Sequence, residues 1–252
     1  MPHRWYIWRM DYLASIRREG ELFYTVADTA DPAVGVPPCP GWSIADLVWH
    51  LGEVHWFWAT DVEQRGTDPQ VVESGKPPRP DAYRELVAWG RLQLDRLIGI
   101  LEATPDDIEV WTWALDDADH RVGFVRRHQV QEGAVHRWDL QSAATSDAPD
   151  PIDAEAASDS IDEFLWSTLP WGVNAKKPLR GSVHLHCTDV AGEWFIEPNG
   201  KVDRAHAKGD VAVAGTASDL LLALYNRVMI GDLDVVGDES VARELVKRVE
   251  GT

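Results

Sequence analysis

Between residues 11 and 145, apolar positions recur every three to four residues, in stretches separated by proline- and glycine-rich breaks. Leu13, Ile16, Leu22, Phe23 and Val26 mark a first helix over 11–30. Pro32 and the run Val36-Pro37-Pro38-Cys39-Pro40-Gly41 force a loop after it. Ser43, with Asp46 three residues on, is a capping-box signal. It opens a second helix over about 44–64, with Ile44, Leu47, Val48, Leu51 and Val54 on its apolar side. Residues 66–80 read as a loop. A third helix, about 81–103, carries Leu86, Val87, Leu94, Leu97, Ile98 and Leu101 and is stopped by Pro105. Residues 108–120 read as irregular or short extended structure ending in an acidic turn at Asp116, Asp117 and Asp119. A fourth helix follows over about 122–145. Four helices with these connections predict a four-helix bundle.

The segment Ser146-Asp147-Ala148-Pro149-Asp150-Pro151 reads as a boundary, and the pattern changes beyond it. A fifth helix covers about 153–168. Val183, Leu185 and Cys187 then alternate with His184 and His186, a strand signature over 182–188. Gly192 turns the chain into a second strand over 193–197, and 211–214 form a third. Residues 217–228 are helical, 233–236 extended and 239–249 helical again. The expected fold class is α+β: a helical bundle over 10–150 and a small α+β domain over 151–252. Residues 1–9 read as an extension, since regular helical patterning starts only at Met10-Asp11.

Composition narrows the function classes. Forty-two acidic residues against 24 basic ones give a formal charge of −18, which argues against nucleic acid or an anionic membrane as partner. Two cysteines, Cys39 and Cys187, do not make a disulfide scaffold, and a reducing cytoplasmic location is expected. No apolar run reaches transmembrane length. Thirteen tryptophans, among them Trp49, Trp56, Trp58, Trp89 and Trp138 on helices, point to bulky core packing, with an aromatic-walled pocket as the sharper reading. The oligomeric state is left open.

The chemistry centres on the second and fourth helices. Glu132 and His136 are four apart, about 40° around the helix axis, so both can reach one ion. That spacing alone equally describes a solvated ion pair. His50 changes the picture, because it sits one turn after Leu47 and one before Val54, near the inward face of another helix. Bundle cores are where such ligands converge. Two histidines and one carboxylate leave coordination positions open, the pattern of a catalytic zinc site, with iron or nickel chemically possible. Asp139, three after His136, is placed to accept a ligand histidine's free ring N–H, or else is a surface charge. His128 is expected at the surface. His55 lies about 140° from His50 around the helix and cannot easily share the ion. Cys39 lacks an adjacent base in sequence, and buried packing is expected for it.

The stretches Pro38-Cys39-Pro40-Gly41-Trp42-Ser43-Ile44-Ala45-Asp46-Leu47-Val48-Trp49-His50-Leu51, Val122-Gly123-Phe124-Val125-Arg126-Arg127 and Glu132-Gly133-Ala134-Val135-His136-Arg137-Trp138-Asp139 resemble the mycothiol-dependent maleylpyruvate isomerase family. Residues 182–195 and Gly215-Thr216-Ala217-Ser218-Asp219-Leu220-Leu221 resemble its C-terminal domain, so nearly the whole chain from Met10 is covered. The resemblance implies a DinB-like metal-binding bundle holding zinc on His50, Glu132 and His136, with mycothiol as thiol cosubstrate. It also implies a catalytic arginine from the C-terminal domain, best matched by Arg227. A carboxylate substrate needs a cationic clamp, for which Arg227 and Arg126 are the candidates; the alternative is a surface salt bridge, for Arg126 above all. Many members of the family have histidine immediately before the glutamate, where this chain has Gln131. The implied reaction is thiolate addition to maleylpyruvate and cis–trans isomerisation to fumarylpyruvate. Thiol transfer to electrophiles, metal-dependent hydrolysis without a thiol, and a non-catalytic metal- or thiol-binding module stand as alternatives.

Overall fold

The computed structural model describes residues 10–115 and 119–249. The expected N-terminal extension and the Asp116-Asp117 part of the acidic turn lie outside these residues. The helical part comprises α1 (Tyr12–Ala27), α2 (Ile44–Gln64), the short α3 (Pro69–Ser74), α4 (Tyr83–Ala103) and α5 (Val122–Ala144). The four long helices pack in a ring, α2 on α4, α4 on α1, α1 on α5 and α5 on α2. Local chemistry sets most of the starts. The Asp11 side chain caps α1, and the Ser43–Asp46 box at α2 is complete in both directions. At its other end α2 stops at Arg65, held in the left-handed region at φ 51°. The predicted loop at 66–80 contains α3, which Asp68 caps and Pro69 opens.

The C-terminal part comprises α6 (Ala154–Ser167), α7 (Leu169–Gly172), β1 (Val183–Cys187), β2 (Glu193–Ile196), β3 (Val202–Asp203), β4 (Val211–Gly215), α8 (Ala217–Leu224), β5 (Asp234–Gly237) and α9 (Glu239–Val249). The sheet order is β3-β2-β1-β4-β5, with β1 and β4 parallel and the other pairs antiparallel. The fold is α+β. Val183, Leu185 and Cys187 turn one face of β1 into the core, and α8 and α9 pack on the sheet. The helix predicted over 217–228 ends at Leu224. Asn226 adopts φ 61°, and this left-handed residue reverses the chain immediately before Arg227.

Two hydrophobic clusters interlock through α5 and α6. Ala134 and Val135 of α5 belong to the C-terminal cluster, while Ala156 of α6 belongs to the bundle cluster. Buried ion pairs reinforce the seam. Arg127 of α5 meets Asp159 at 2.9 Å and Asp162 at 2.9 Å on α6. Arg137 of α5 reaches Glu19 of α1 at 2.9 Å, both fully buried. Removing either partner of such a pair would strand a charge, which costs several kcal/mol, ~3–5. The bundle and the C-terminal part are therefore held in one arrangement. Among the described residues, no helix is long and apolar enough to cross a membrane.

Candidate metal centre

His50 leaves α2 toward α5, where Glu132 and His136 stand one turn apart. His50 Nε2 lies 3.1 Å from Glu132 Oε1, and His136 Nε2 lies 3.3 Å from the same oxygen. The three donor atoms fall within 4.8 Å of one another. The opposite ring nitrogens also face carboxylates. His136 Nδ1 is 2.9 Å from Asp139 Oδ2, and His50 Nδ1 is 3.7 Å from Glu53 Oε1. Both rings thus aim Nε2 at one point and Nδ1 at an outer carboxylate. That is how metal-bound histidines are normally oriented and kept in one tautomer. The donor set fits a divalent ion such as zinc, with open positions.

The electrostatics of the cluster are those of a tightly coupled group. Burial favours neutral His136, but the charge of Glu132 and the bond to Asp139 outweigh it and hold its pKa well above the ordinary value. Burial likewise opposes ionisation of Glu132, and His136 and His50 overcome it, so Glu132 remains a carboxylate far below its usual range. For His50, bonds to Glu132 and Glu53 outweigh burial and raise the pKa. An anionic carboxylate between two imidazoles is the form that would accept a cation on displacing protons.

Arg227 arrives from the C-terminal part. Its Nε and Nη2 donate to the two oxygens of Asp139 at 3.0 and 2.8 Å, and Nη1 donates to the Tyr225 carbonyl at 2.7 Å. Asp139 is fully buried, so it is a bridge between His136 and Arg227 and not a surface charge. Cys39 joins the same bridge, with Sγ 3.6 Å from Asp139 Oδ2 and 3.6 Å from Arg227 Nη2. It is only partly buried. Sequence spacing could not find this, because the residues span positions 39 to 227.

A cavity of about 570 Å³ opens beside Glu132, walled by Trp113, His128, Phe164, Tyr225 and Arg227, with the proline loop Pro37-Pro38 at its rim. Trp58 is core, while Trp113 is cavity wall, so the tryptophans serve both predicted roles. Trp42, which the spacing argument did not single out, packs its ring 4.8 Å from that of His50.

One expectation is corrected. His128 is buried, not at the surface: the Trp113 ring stands 4.4 Å from it, Phe124 stacks at 6.0 Å, and Glu163 of α6 comes within 3.4 Å. Its Nε2 lies 3.9 Å from Glu132 Oε2, beside the cluster. Arg126 takes the salt-bridge alternative and does not line the cavity. It pairs with Asp106 and donates to the Leu101 and Thr104 carbonyls, closing the C-terminal end of α4. His55 is buried and does not join the converging donor atoms, and burial pushes its pKa down to about 4. Gln131 is a tether: its amide donates to the Ser160 carbonyl at 2.9 Å and its oxygen accepts from the Tyr225 hydroxyl.

No curated protein matches the chain. Two solved structures, of the mycothiol-dependent maleylpyruvate isomerase and of a mutant of it, share 15% and 14% identity with the chain. Each match covers 84% of this chain and 86% of the other, with a TM-score of 0.46. The family model for the mycothiol maleylpyruvate isomerase N-terminal domain matches residues 13–141, and that for the MDMPI C-terminal domain matches residues 151–244. With both models matched in order along its length, the chain belongs to the mycothiol maleylpyruvate isomerase family.

Proposed function

We propose that the protein is a metal-dependent enzyme that uses a mycothiol thiol, with His50, Glu132 and His136 as ligands of a zinc-type ion. One observation carries this reading: both histidines aim Nε2 at Glu132 Oε1 beside a cavity to which the C-terminal part adds Arg227. A divalent cation in that position supplies the Lewis acidity that ionises a thiol near neutral pH. Asp139 and Glu53 orient the two rings. Arg227, aligned by Asp139, places a guanidinium at the cavity wall for a substrate carboxylate. Trp113, Phe164 and Tyr225 enclose the reactants in apolar surroundings. In the isomerase reaction the thiolate adds to the activated double bond of maleylpyruvate. The bond becomes single and rotates, and expulsion of the thiolate leaves fumarylpyruvate.

A second reading, thiol transfer to an electrophile, is favoured by the charge of the cavity wall. Among the described lining residues Arg227 is the only arginine or lysine, and it already faces Asp139. A dicarboxylate asks for more positive charge than that; a less charged electrophile does not. Incubating zinc-loaded protein with mycothiol and maleylpyruvate separates the two. Thiol-dependent loss of the cis substrate is expected for the isomerase, and turnover of a generic electrophile alone would favour the transferase. Metal analysis should show loss of one bound equivalent in each of His50→Ala, Glu132→Ala and His136→Ala; wild-type metal content in all three would refute the ligand assignment.

A further inference from the structure

The C-terminal sheet carries a second convergence of metal-ligating side chains, far along the chain from the bundle cluster. His184 and His186 of β1 share the sheet face opposite Val183, Leu185 and Cys187. Glu193 of β2 stands directly across from His186 in the antiparallel register. His206 reaches the same place from the segment after β3. Three ring nitrogens meet one oxygen: Glu193 Oε1 lies 2.9 Å from His184 Nε2, 2.6 Å from His206 Nδ1 and 3.3 Å from His186 Nδ1. The donor atoms of His184, Glu193 and His206 are all within 4.8 Å of one another.

Hydrogen bonding alone accounts poorly for this crowding. A carboxylate oxygen has about two lone pairs, fewer than the three ring nitrogens gathered on it. The arrangement also repeats that of the bundle, where two histidine nitrogens converge on Glu132 Oε1. The two flanks of the histidines differ: Phe195 of β2 stands across from His184, while β4 contributes only small residues. Ala212 and Ala214 of β4 lie beside His184 and His186 in the parallel register, so the flanking strand brings only methyl groups. His184 is buried and fixed, while His186 and His206 are exposed, which gives one anchored ligand and an open approach from solvent.

We propose that His184, Glu193 and His206 form a second divalent-metal site, with His186 as the neighbour able to turn into the fourth position. Imidazoles with one carboxylate select borderline first-row ions such as Zn²⁺ over Ca²⁺ or Mg²⁺. The ion ties the segment after β3 to β1 and β2, a structural role separate from the cavity. This site does not depend on the function proposed for the bundle.

The test is a Zn²⁺ titration of the full-length, chelator-stripped protein against a chromogenic competitor, with Ca²⁺ as control. Two equivalents are expected in the wild type. His206→Ala and Glu193→Gln should each lose one equivalent and keep the other, and His50→Ala should lose the one that they keep. His206 is exposed, so its alanine variant leaves the core packing intact, which circular dichroism checks. Wild-type stoichiometry and affinity in both His206→Ala and Glu193→Gln would overturn the sheet site. So would a wild type that binds only the His50-dependent equivalent. If instead His50→Ala changes nothing while His206→Ala removes one equivalent, the sheet site stands and the bundle assignment fails.

Discussion

Asp139→Asn probes the bridge on which the candidate centre depends. The carboxylate is fully buried and accepts from Arg227 through both oxygens while facing His136 Nδ1 at 2.9 Å. Asparagine preserves the shape but has one oxygen and one NH2 group. If its oxygen stays with Arg227, its NH2 faces His136 Nδ1 and demands a lone pair there. The ring proton then moves to Nε2, the atom aimed at Glu132, and metal binding is opposed. Losing such an outer carboxylate weakens metal affinity about 10- to 100-fold. Arg227, whose side chain is only 14% exposed, is left without its counter-charge, and breaking a buried pair costs about 3–5 kcal/mol. Competition titration with Zn²⁺ reads the first effect, and urea unfolding of the metal-free protein reads the second. Adding Arg227→Met to Asp139→Asn should recover part of the stability, about 1–3 kcal/mol of coupling, because no orphan charge remains. Burial alone would raise the Asp139 pKa, but His136 and Arg227 outweigh it and hold it below the ordinary value. The bridge therefore stabilises fully above the normal aspartate range and is lost as pH falls through the depressed folded value. Unchanged zinc affinity in Asp139→Asn, or strictly additive costs of the two substitutions, would refute this account.

Other substitutions test the scaffold. Asp61 is fully buried with neither side-chain oxygen hydrogen-bonded, and burial pushes its pKa from 3.8 up to about 7. Between those values the folded state holds a proton that the unfolded state has released, so stability declines as pH rises through that window. At about 1.36 kcal/mol per unit, the decline is at most about 4 kcal/mol. Asp61→Asn should remove it, and equal pH slopes for wild type and variant in urea unfolding would disprove the assignment. At the α2–α4 contact, a Cβ on Gly52 would fall 2.6 Å from Trp89 Cζ3 and 3.3 Å from Gly90 Cα. Gly52→Ala should lower stability by about 1–3 kcal/mol through overpacking, and an unchanged thermal midpoint would show that the two helices separate freely.

Much of this architecture follows from local pattern. The long helices come from a 3.6-residue apolar period and from punctuation such as the Ser43–Asp46 box and Pro105, which act within a few residues. The alternation at 183–187 marks β1 for the same reason. Short elements escaped: α3 and the two-residue β3 offer too few positions for a period. The end of α8 escaped too, since Asn226 takes its left-handed conformation where the chain must turn back to the bundle. The candidate site divides along the same line. Glu132, His136 and Asp139 share a helix face by spacing alone, and His50 could be placed on an inward face. Tertiary structure decided that His50 meets Glu132, that Arg227 closes on Asp139, and that Cys39 joins them. It also buried His128 under Trp113 and Glu163, and carried Arg126 away to cap α4. Helical period reports which way a side chain leaves its own axis. Which partner waits there depends on contacts between residues 80 to 190 positions apart, and these exist only once α5, α6 and the reversal at Asn226 have packed together.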